Sequence, residues 1–343
     1  MIDLSVADSA LGEAPRWAIP PLSERVLHLH LWTPVDPQTS LCAALETLGP
    51  YRQLAWTRLE PESRARHLLA AVSEHAPTLL WMQLQTPGVV SPAVLEQVRV
   101  KAPGIRIVSW CGDVGRNPAW SHELAPACDA VFFSSTTQVD QHRAAGFPNA
   151  AYLQIGYDSG THYADTDVER AGVVFAGQRF EMCGWSFLPE QEIELRTRTI
   201  TALHGVLGDK FACYGQNWPS WSHPPMHPPV VAERYRRAIA AVSVSITSKL
   251  GRYTSDRLFR ALACGPAVLV KRFAEMEALG LEDGVTCLVW DTPEECVDLA
   301  QYVLAHPEIA ARIGAYGADL ARDCHGWNRR MGEMYAYLDV TRD

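Results

Sequence analysis

The sequence predicts an α/β protein of two domains, each a parallel sheet with helices on both faces. Its 343 residues suffice for two domains of ordinary size. Hydrophobic residues make up 48% of the chain and charged residues 20%, a globular composition that can bury two cores. Short apolar segments alternate with amphipathic ones along the chain, and this alternation is typical of strands joined by helical crossovers.

The first half of the chain shows this alternation clearly. The apolar runs at 78–85 and 105–110 are almost continuous, as expected for strands covered on both faces. Strands separated by helices pair in parallel through right-handed crossovers. The predicted strands are 25–32, 53–57, 78–85, 105–110, 130–134 and 151–155, and the predicted helices are 40–48, 61–75, 92–101, 118–125 and 136–145.

A polar segment without apolar periodicity, residues 157–171, predicts a linker between the domains. A second alternating set follows it. Its predicted strands are 172–176, 210–214, 240–246, 267–270 and 286–290, and its predicted helices are 190–207, 231–239, 293–305, 307–322 and 327–338. We therefore expect an N-terminal domain at 1–165, a C-terminal domain at 166–325 and a terminal helical segment at 326–343.

Composition also limits the function. No run approaches the roughly 18 apolar residues of a membrane span, and the first ten residues lack the apolar stretch of a signal peptide. Nine cysteines without a C-x-x-C pair are typical of a reducing compartment. The formal net charge of −9 argues against broad nonspecific nucleic-acid binding. These features predict a cytoplasmic protein with no membrane span.

The most informative stretch, residues 254–270, predicts a short capped helix followed by a buried strand. Thr254 and Ser255 are residue types that cap a helix by accepting a hydrogen bond from a free backbone N–H. Three apolar side chains then follow at helical spacing. Gly265 can adopt the left-handed conformation that ends a helix, and Pro266 prevents continuation. The start of such a helix attracts anions, and a phosphate is the expected ligand.

Basic residues flank this helix start. Lys249 and Arg252 lie in the preceding loop with Tyr253, and Arg257 lies in the first turn. Arginine suits bidentate phosphate contacts, so the group would neutralise a diphosphate. The competing interpretation is a solvated basic loop whose hydroxyl only caps the helix.

Three segments of the second half carry a family resemblance: "SDRLFRALACGPAVLV" at 255–270, "EMEALGLEDGVTCLVWDTPEECVDLAQYVLAHPEIAARI" at 275–313, and "HGWNRR" at 325–330. Together they resemble the C-terminal domain of GT-B-fold glycosyltransferases, in particular the spore-maturation-type or family-1/4-like bacterial group. The likeness is good over 240–332 and can be followed from about residue 105. It implies two facing Rossmann-like domains with a cleft between them, and a terminal helix that crosses back to the first domain.

The resemblance also implies a donor site for a nucleotide sugar. Arg257 matches the arginine of the family's S-x-R pattern, and Gln178 and Arg179 match a cleft-facing turn after the first strand of the second domain. The chain departs from the well-known retaining families, which carry glutamates where Arg260 and Arg252 stand. Glu277 is a candidate replacement for the ribose or sugar contact, and a surface glutamate is the alternative.

In the first domain, Asp113 follows the predicted strand 105–110 and is flanked by glycines. A carboxylate at this end of a strand can deprotonate an acceptor hydroxyl, although an Asx turn or a helix cap also explains it. The chain has no G-x-G-x-x-G after its first strand, which disfavours a nicotinamide-dependent oxidoreductase. The triplet Asp165-Thr166-Asp167 spells D-x-D but lies in the polar linker, so it is weak evidence of a metal site.

The predicted function is metal-independent transfer of a sugar from a nucleotide sugar, UDP-sugar above all, with no cofactor. The second domain would bind the donor and the first domain the acceptor. A glycan, a protein, a metabolite or a modified base of phage DNA remains open as the acceptor. Two alternatives stay open as well: a sugar-nucleotide 2-epimerase of the same fold, and a degenerate transferase that only binds nucleotide sugars.

Overall fold

The computed structural model describes residues 23–33, 38–114, 118–179 and 190–340. These residues form two units, each with its own parallel sheet. One unit contains residues 23–155 and 327–340, and the other contains residues 156–326. The predicted α/β class with parallel sheets is confirmed.

The first unit is built on a six-stranded sheet in the order β2-β1-β3-β4-β5-β6, and every pair is parallel. Two apolar clusters cover its faces, and Trp81 and Trp110 are fully buried in one of them. The strands are β1 Val26–His30, β2 Tyr51–Ala55, β3 Leu79–Gln83, β4 Arg106–Cys111, β5 Ala130–Phe133 and β6 Ala150–Tyr152. The helices are α1 Thr39–Glu46, α2 Arg64–His75, α3 Pro92–Lys101 and α4 Thr136–Ala144.

The second unit has a five-stranded parallel sheet in the order β11-β10-β9-β7-β8. Its largest buried side chains include Phe175 on β7 and Trp290 on β11. The strands are β7 Val173–Ala176, β8 Phe211–Tyr214, β9 Ala240–Ser243, β10 Ala267–Lys271 and β11 Leu288–Trp290. The helices are α5 Glu190–Leu207, α6 Pro228–Arg236, α7 Asp256–Ala263, α8 Pro293–Ala305 and α9 Pro307–Cys324.

The helix predicted at 118–125 is wrong. That segment contains two short 3₁₀ turns, Pro118–Ser121 and Ala125–Ala127. Pro126 lacks a backbone N–H and disfavours the helical conformation in the residue before it, so an α-helix cannot propagate through the second turn.

The polar segment 157–171 is part of the second unit and is packed onto it, so the predicted linker is wrong. Tyr157 is buried and forms an isolated parallel bridge with Gly326. His162 is buried as well, and the guanidinium of Arg170 donates to the carbonyls of Ala238 and Cys264. The Arg170 side chain therefore binds backbone carbonyls of its own unit.

The last helix, α10 Trp327–Val340, packs on the sheet of the first unit. The Trp327 ring meets Trp110 edge-on at 5.4 Å between centroids, and Met331, Met334 and Leu338 are buried in the same cluster. In the part of the chain that the structure describes, no helix combines the length and apolar character needed to span a bilayer.

Candidate anion site at the carboxyl ends of the second sheet

The carboxyl ends of β7, β9 and β10 lie at one edge of the second sheet, because all three strands are parallel neighbours. The loops that follow these strands meet there, and helix α7 starts from the loop after β9. Ligands of open α/β sheets bind at this edge. The predicted phosphate site falls in this region.

Helix α7 begins as predicted, with Ser255 at the N-cap position, but the expected hydroxyl cap is wrong. The Ser255 hydroxyl makes no capping bond and instead accepts a hydrogen bond from Arg257 Nη1 at 2.9 Å. The backbone N–H of Ser255 donates to Ser245 Oγ at 3.0 Å. Thr254 is buried, with its hydroxyl 3.3 Å from that of Ser245. Gly265 ends the helix at φ +84°, as predicted.

Arg257 is anchored at the point where two strands end. Its Nε donates to the carbonyl of Ala176, the last residue of β7, and its Nη1 donates to the carbonyl of Val244 at 3.3 Å. The guanidinium carbon also lies 5.1 Å from the centre of the Phe175 ring. Among the described residues, no carboxylate pairs with this guanidinium. The arrangement fixes a positive charge in the first turn of α7, where an anion is favoured.

Gly177 provides the space that Arg257 occupies. A Cβ built on Gly177 would lie 2.8 Å from the guanidinium carbon and closer still to Nη2. Real Cβ atoms do not tolerate such contacts, so any larger residue would displace the guanidinium. The glycine after β7 therefore has a definite role in positioning the cation.

Arg196 on α5 is a second guanidinium of the site, and the sequence interpretation missed it. It is only 3% exposed. Its Nε donates to the Val244 carbonyl and its Nη1 donates to the Gln178 carbonyl, both at 3.1 Å. Burial and the positive charge of Arg257 lower the pKa of Arg196. The signal was present in the sequence, because Arg196 falls in the same helical stripe as the core residues Ile200 and Leu203.

The loop after β8 holds the loop after β7 in place. Trp218 Nε1 donates to the Gly177 carbonyl at 2.7 Å, and the Arg179 N–H donates to the Gln216 carbonyl at 3.0 Å. Gly215 approaches Gly177 so closely that a Cβ on Gly215 would overlap the Gly177 carbonyl. The indole N–H of Trp218 therefore fixes the backbone at Gly177.

The basic loop after β9 is paired with the loop after β10. Lys249 is exposed, and Tyr253 is 7% exposed. Arg252 has a left-handed backbone at φ +54°, and its Nε lies 3.0 Å from a carboxylate oxygen of Glu275, which is also left-handed at φ +60°. The Arg252 N–H donates to the Ala274 carbonyl at 2.9 Å. Two left-handed residues that are not glycine are costly, and such strain is typical of functional loops.

Arg260, at the other position where the retaining families carry glutamate, also has a carboxylate beside it. Its guanidinium lies 2.8 Å from Asp256 one turn earlier on α7. Arg252 thus pairs with Glu275, and Arg260 pairs with Asp256. Neither carboxylate stands at a position where the retaining families carry glutamate.

A small cavity lined by hydroxyl groups opens beside the helix start. Its polar lining comes from the end of β9, the loop after it and the end of β10: Ser243, Ser245, Thr247, Ser248, Thr254 and Lys271. Lys271 lies 3.1 Å from Asp291, so its charge is partly balanced. Hydroxyl groups both donate and accept hydrogen bonds, which suits phosphate oxygens and sugar hydroxyls alike.

Glu277, one of the predicted site residues, does not line this cavity. Glu277 is exposed and lines a different cavity, together with Arg272 and Asp283. Asp113 belongs to the first unit, where it follows β4 and is partly buried. The backbone carbonyl of Asp113 accepts a hydrogen bond from the Cys111 thiol at 3.3 Å. Gln178 is exposed, and its carbonyl is the acceptor for Arg196.

The described ranges contain no group of three or more histidine, cysteine, aspartate or glutamate side chains placed to hold a metal ion. In the D-x-D triplet, the Asp165 carboxylate accepts a hydrogen bond from the N–H of Asp167 at 2.9 Å. That carboxylate therefore closes a local turn.

The second unit carries a likeness to a known family. Residues 196–336 match a family model described as glycosyl transferase-like. The match begins at Arg196 and includes α7 with Arg257. No curated protein matches the sequence.

Solved structures match over nearly the whole chain. HepE (Alr3699) of Anabaena in complex with UDP-glucose is 11% identical, with a TM-score of 0.60, and the match covers 91% of this chain and 99% of that one. Sucrose-phosphate synthase of Thermosynechococcus elongatus is 13% identical, with a TM-score of 0.61 over 92% and 98%. The lipopolysaccharide outer core galactosyltransferase WaaB is 10% identical, with a TM-score of 0.56 over 93% and 99%. The chain therefore has the GT-B fold of these structures, as the resemblance implied.

Proposed function

We propose that this protein is a glycosyltransferase that takes its sugar from a nucleoside diphosphate sugar, a UDP-sugar above all. The observation that carries the proposal is the fixed guanidinium of Arg257 in the first turn of α7, at the carboxyl ends of β7 and β9. The match of residues 196–336 to a glycosyl transferase-like model supports it, as does the fold shared with HepE, which was solved with UDP-glucose. The S-x-R pattern at Ser255 and Arg257 supports the narrower spore-maturation-type assignment.

The chemistry needs positive charge at this place. In glycosyl transfer the bond between the anomeric carbon and the diphosphate breaks, and negative charge builds on the departing phosphate oxygen. Guanidinium donors and the free N–H groups at the start of α7 would stabilise that charge, because they are already oriented before the reaction begins. No metal ion is required for this role.

The acceptor hydroxyl must lose a proton as its oxygen bonds to the anomeric carbon. We assign this base role to Asp113 and acceptor binding to the first unit. A carboxylate that follows a parallel strand suits general base catalysis. Within the donor site, Lys249, Tyr253 and Thr254 are proposed to complete the contacts to the diphosphate or sugar, and Arg179 to approach it from the loop after β7.

The test is thermal unfolding with nucleoside diphosphates and their sugars. A ligand at 100 times its dissociation constant adds about 2.7 kcal/mol to the unfolding free energy, which raises the melting temperature. We expect UDP and UDP-sugars to raise it in the wild-type protein and to have little effect on Arg257→Ala. Arg312→Ala, which removes an exposed arginine from α9, is the matched control and should respond like the wild type.

An absence of any shift with uridine, guanosine and thymidine diphosphates would contradict the proposal. Incubation with UDP-sugars alone gives a second check. An epimerised sugar formed without an acceptor would show that the protein is an epimerase, and the transferase assignment would then be wrong.

A further inference from the structure

We propose that Arg196 is a positioning residue of the donor site: a second, buried guanidinium that fixes the backbone beneath Arg257 and adds its own positive charge for the diphosphate. The inference rests on the proposed function, because it concerns the same nucleotide site. It goes further by assigning a role to a residue on α5, a helix outside the loops that form the predicted phosphate cradle.

The geometry joins the two arginines through one carbonyl oxygen. Arg196 Nε and Arg257 Nη1 both donate to the Val244 carbonyl, at 3.1 and 3.3 Å. Arg196 Nη1 reaches the Gln178 carbonyl at 3.1 Å, so this side chain ties the loop after β7 to the first residue after β9. Arg257 is bonded to the same two chain segments, through Ala176 and Val244. Loss of Arg196 would therefore free the backbone segments to which Arg257 is hydrogen-bonded.

The charge argument points to an anion. Transfer of a guanidinium from water to a site that is 3% exposed is costly, and a second guanidinium nearby increases that cost. A bound anion would offset the repulsion between the two cations, and their field acts strongly because the surroundings have a low dielectric constant. A diphosphate, with at least two negative charges, is the ligand class that matches two guanidinium groups.

The test is calorimetric titration of UDP into the wild type, Arg196→Gln, Arg196→Lys and Arg198→Gln. Arg198 lies on the same helix but is exposed, so its variant is the matched control. We expect Arg196→Gln to weaken UDP binding about tenfold or more, because it removes both the charge and the fork of donors. Arg196→Lys keeps the charge and should bind within about threefold of the wild type. Arg198→Gln should bind like the wild type.

The melting temperature of each ligand-free variant separates this role from a merely structural one. A structural role would lower the melting temperature and leave the UDP affinity of the folded protein unchanged, with no rescue by lysine. Wild-type affinity in folded Arg196→Gln would overturn the inference while leaving the proposed function intact. If the wild type itself bound no nucleoside diphosphate, the proposed function would fail instead. Should Arg196→Gln not fold, Arg196→Met takes its place, with an apolar chain of similar length.

Discussion

Arg257 was identified from the sequence and Arg196 was not, although both donate to the same carbonyl oxygen in the structure. Arg257 stands in a recognisable pattern at a helix start, so the sequence interpretation selected it. Arg196 stands within a helix far before that pattern in the chain, and only the fold brings it to Val244. A charged residue among the apolar positions of a helix indicates a buried charge, but the sequence does not show which groups it contacts.

Gly177 gives a test at the level of one residue. Gly177→Ala places a Cβ 2.8 Å from the Arg257 guanidinium carbon, so the guanidinium must leave its position. We expect UDP binding to weaken about tenfold or more, as for loss of a charged hydrogen bond, while the fold persists. Isothermal calorimetry measures the change in affinity.

The matched control is Gly205→Ala on α5, where a Cβ meets nothing within 4 Å. This substitution should leave UDP binding unchanged and add about 0.5–1 kcal/mol to the unfolding free energy, because alanine is the better helix former. Equal UDP affinity in Gly177→Ala and the wild type would show that Arg257 does not need its observed position.

At the scale of the elements, apolar periodicity predicted the regular helices well. Helices α5 and α8 begin and end where the sequence predicted, because apolar residues recur at helical spacing along both. The segment 118–125 forms 3₁₀ turns instead of the predicted helix, and Pro126 accounts only for the end of that segment. Residues 157–171 failed because polarity does not reveal that side chains such as Arg170 bind buried carbonyls.

The N-termini of α7 and α8 differ in their capping, and this difference predicts how two substitutions affect stability. Thr292 caps α8 in a reciprocal box: its hydroxyl accepts from the Glu295 N–H at 3.2 Å, and the Glu295 carboxylate accepts from the Thr292 N–H. Thr292→Ala should lower the unfolding free energy by about 1 kcal/mol, measured by urea denaturation. Ser255→Ala should cost less, because the Ser255 hydroxyl caps nothing. A larger loss for Ser255→Ala than for Thr292→Ala would contradict this ranking of the two helix starts.

The whole molecule contains several buried histidines, and they predict its response to acid. Burial, followed by the charge of His122, lowers the pKa of His142 to about 4; burial, followed by Arg260, lowers that of His162 to about 4. Burial, followed by His30, lowers the pKa of His28 as well. Each group is neutral in the folded protein at pH values where the unfolded chain, with a histidine pKa near 6.5, binds a proton.

Stability should therefore be complete above about pH 6.5 and fall as the pH drops from 6.5 towards 4. The unfolded state binds more protons in this window, so each histidine costs roughly 1 kcal/mol per pH unit. Urea denaturation at pH 7, 6 and 5 measures the trend. His142→Phe, placed among Phe133 and Phe147, should reduce the slope. A stability that is constant from pH 7 to pH 5 would contradict the buried, neutral state of these side chains.

At this largest scale the fold class was predictable, because alternation of strands and helices along the chain determines parallel sheets. The candidate site was only partly predictable. The helix start and Arg257 lie close together in sequence, whereas Gly177, Arg196 and Trp218 meet only through the order of the strands.

The most direct test of the central claim is a calorimetric titration of UDP into the wild-type protein and Arg257→Ala under identical conditions. We predict saturable one-site binding to the wild type and an affinity at least about tenfold weaker in Arg257→Ala, because a charged hydrogen bond contributes about 1.5–3 kcal/mol. Equal dissociation constants for the two proteins, or no binding of UDP to the wild type, would contradict a donor site at the start of α7.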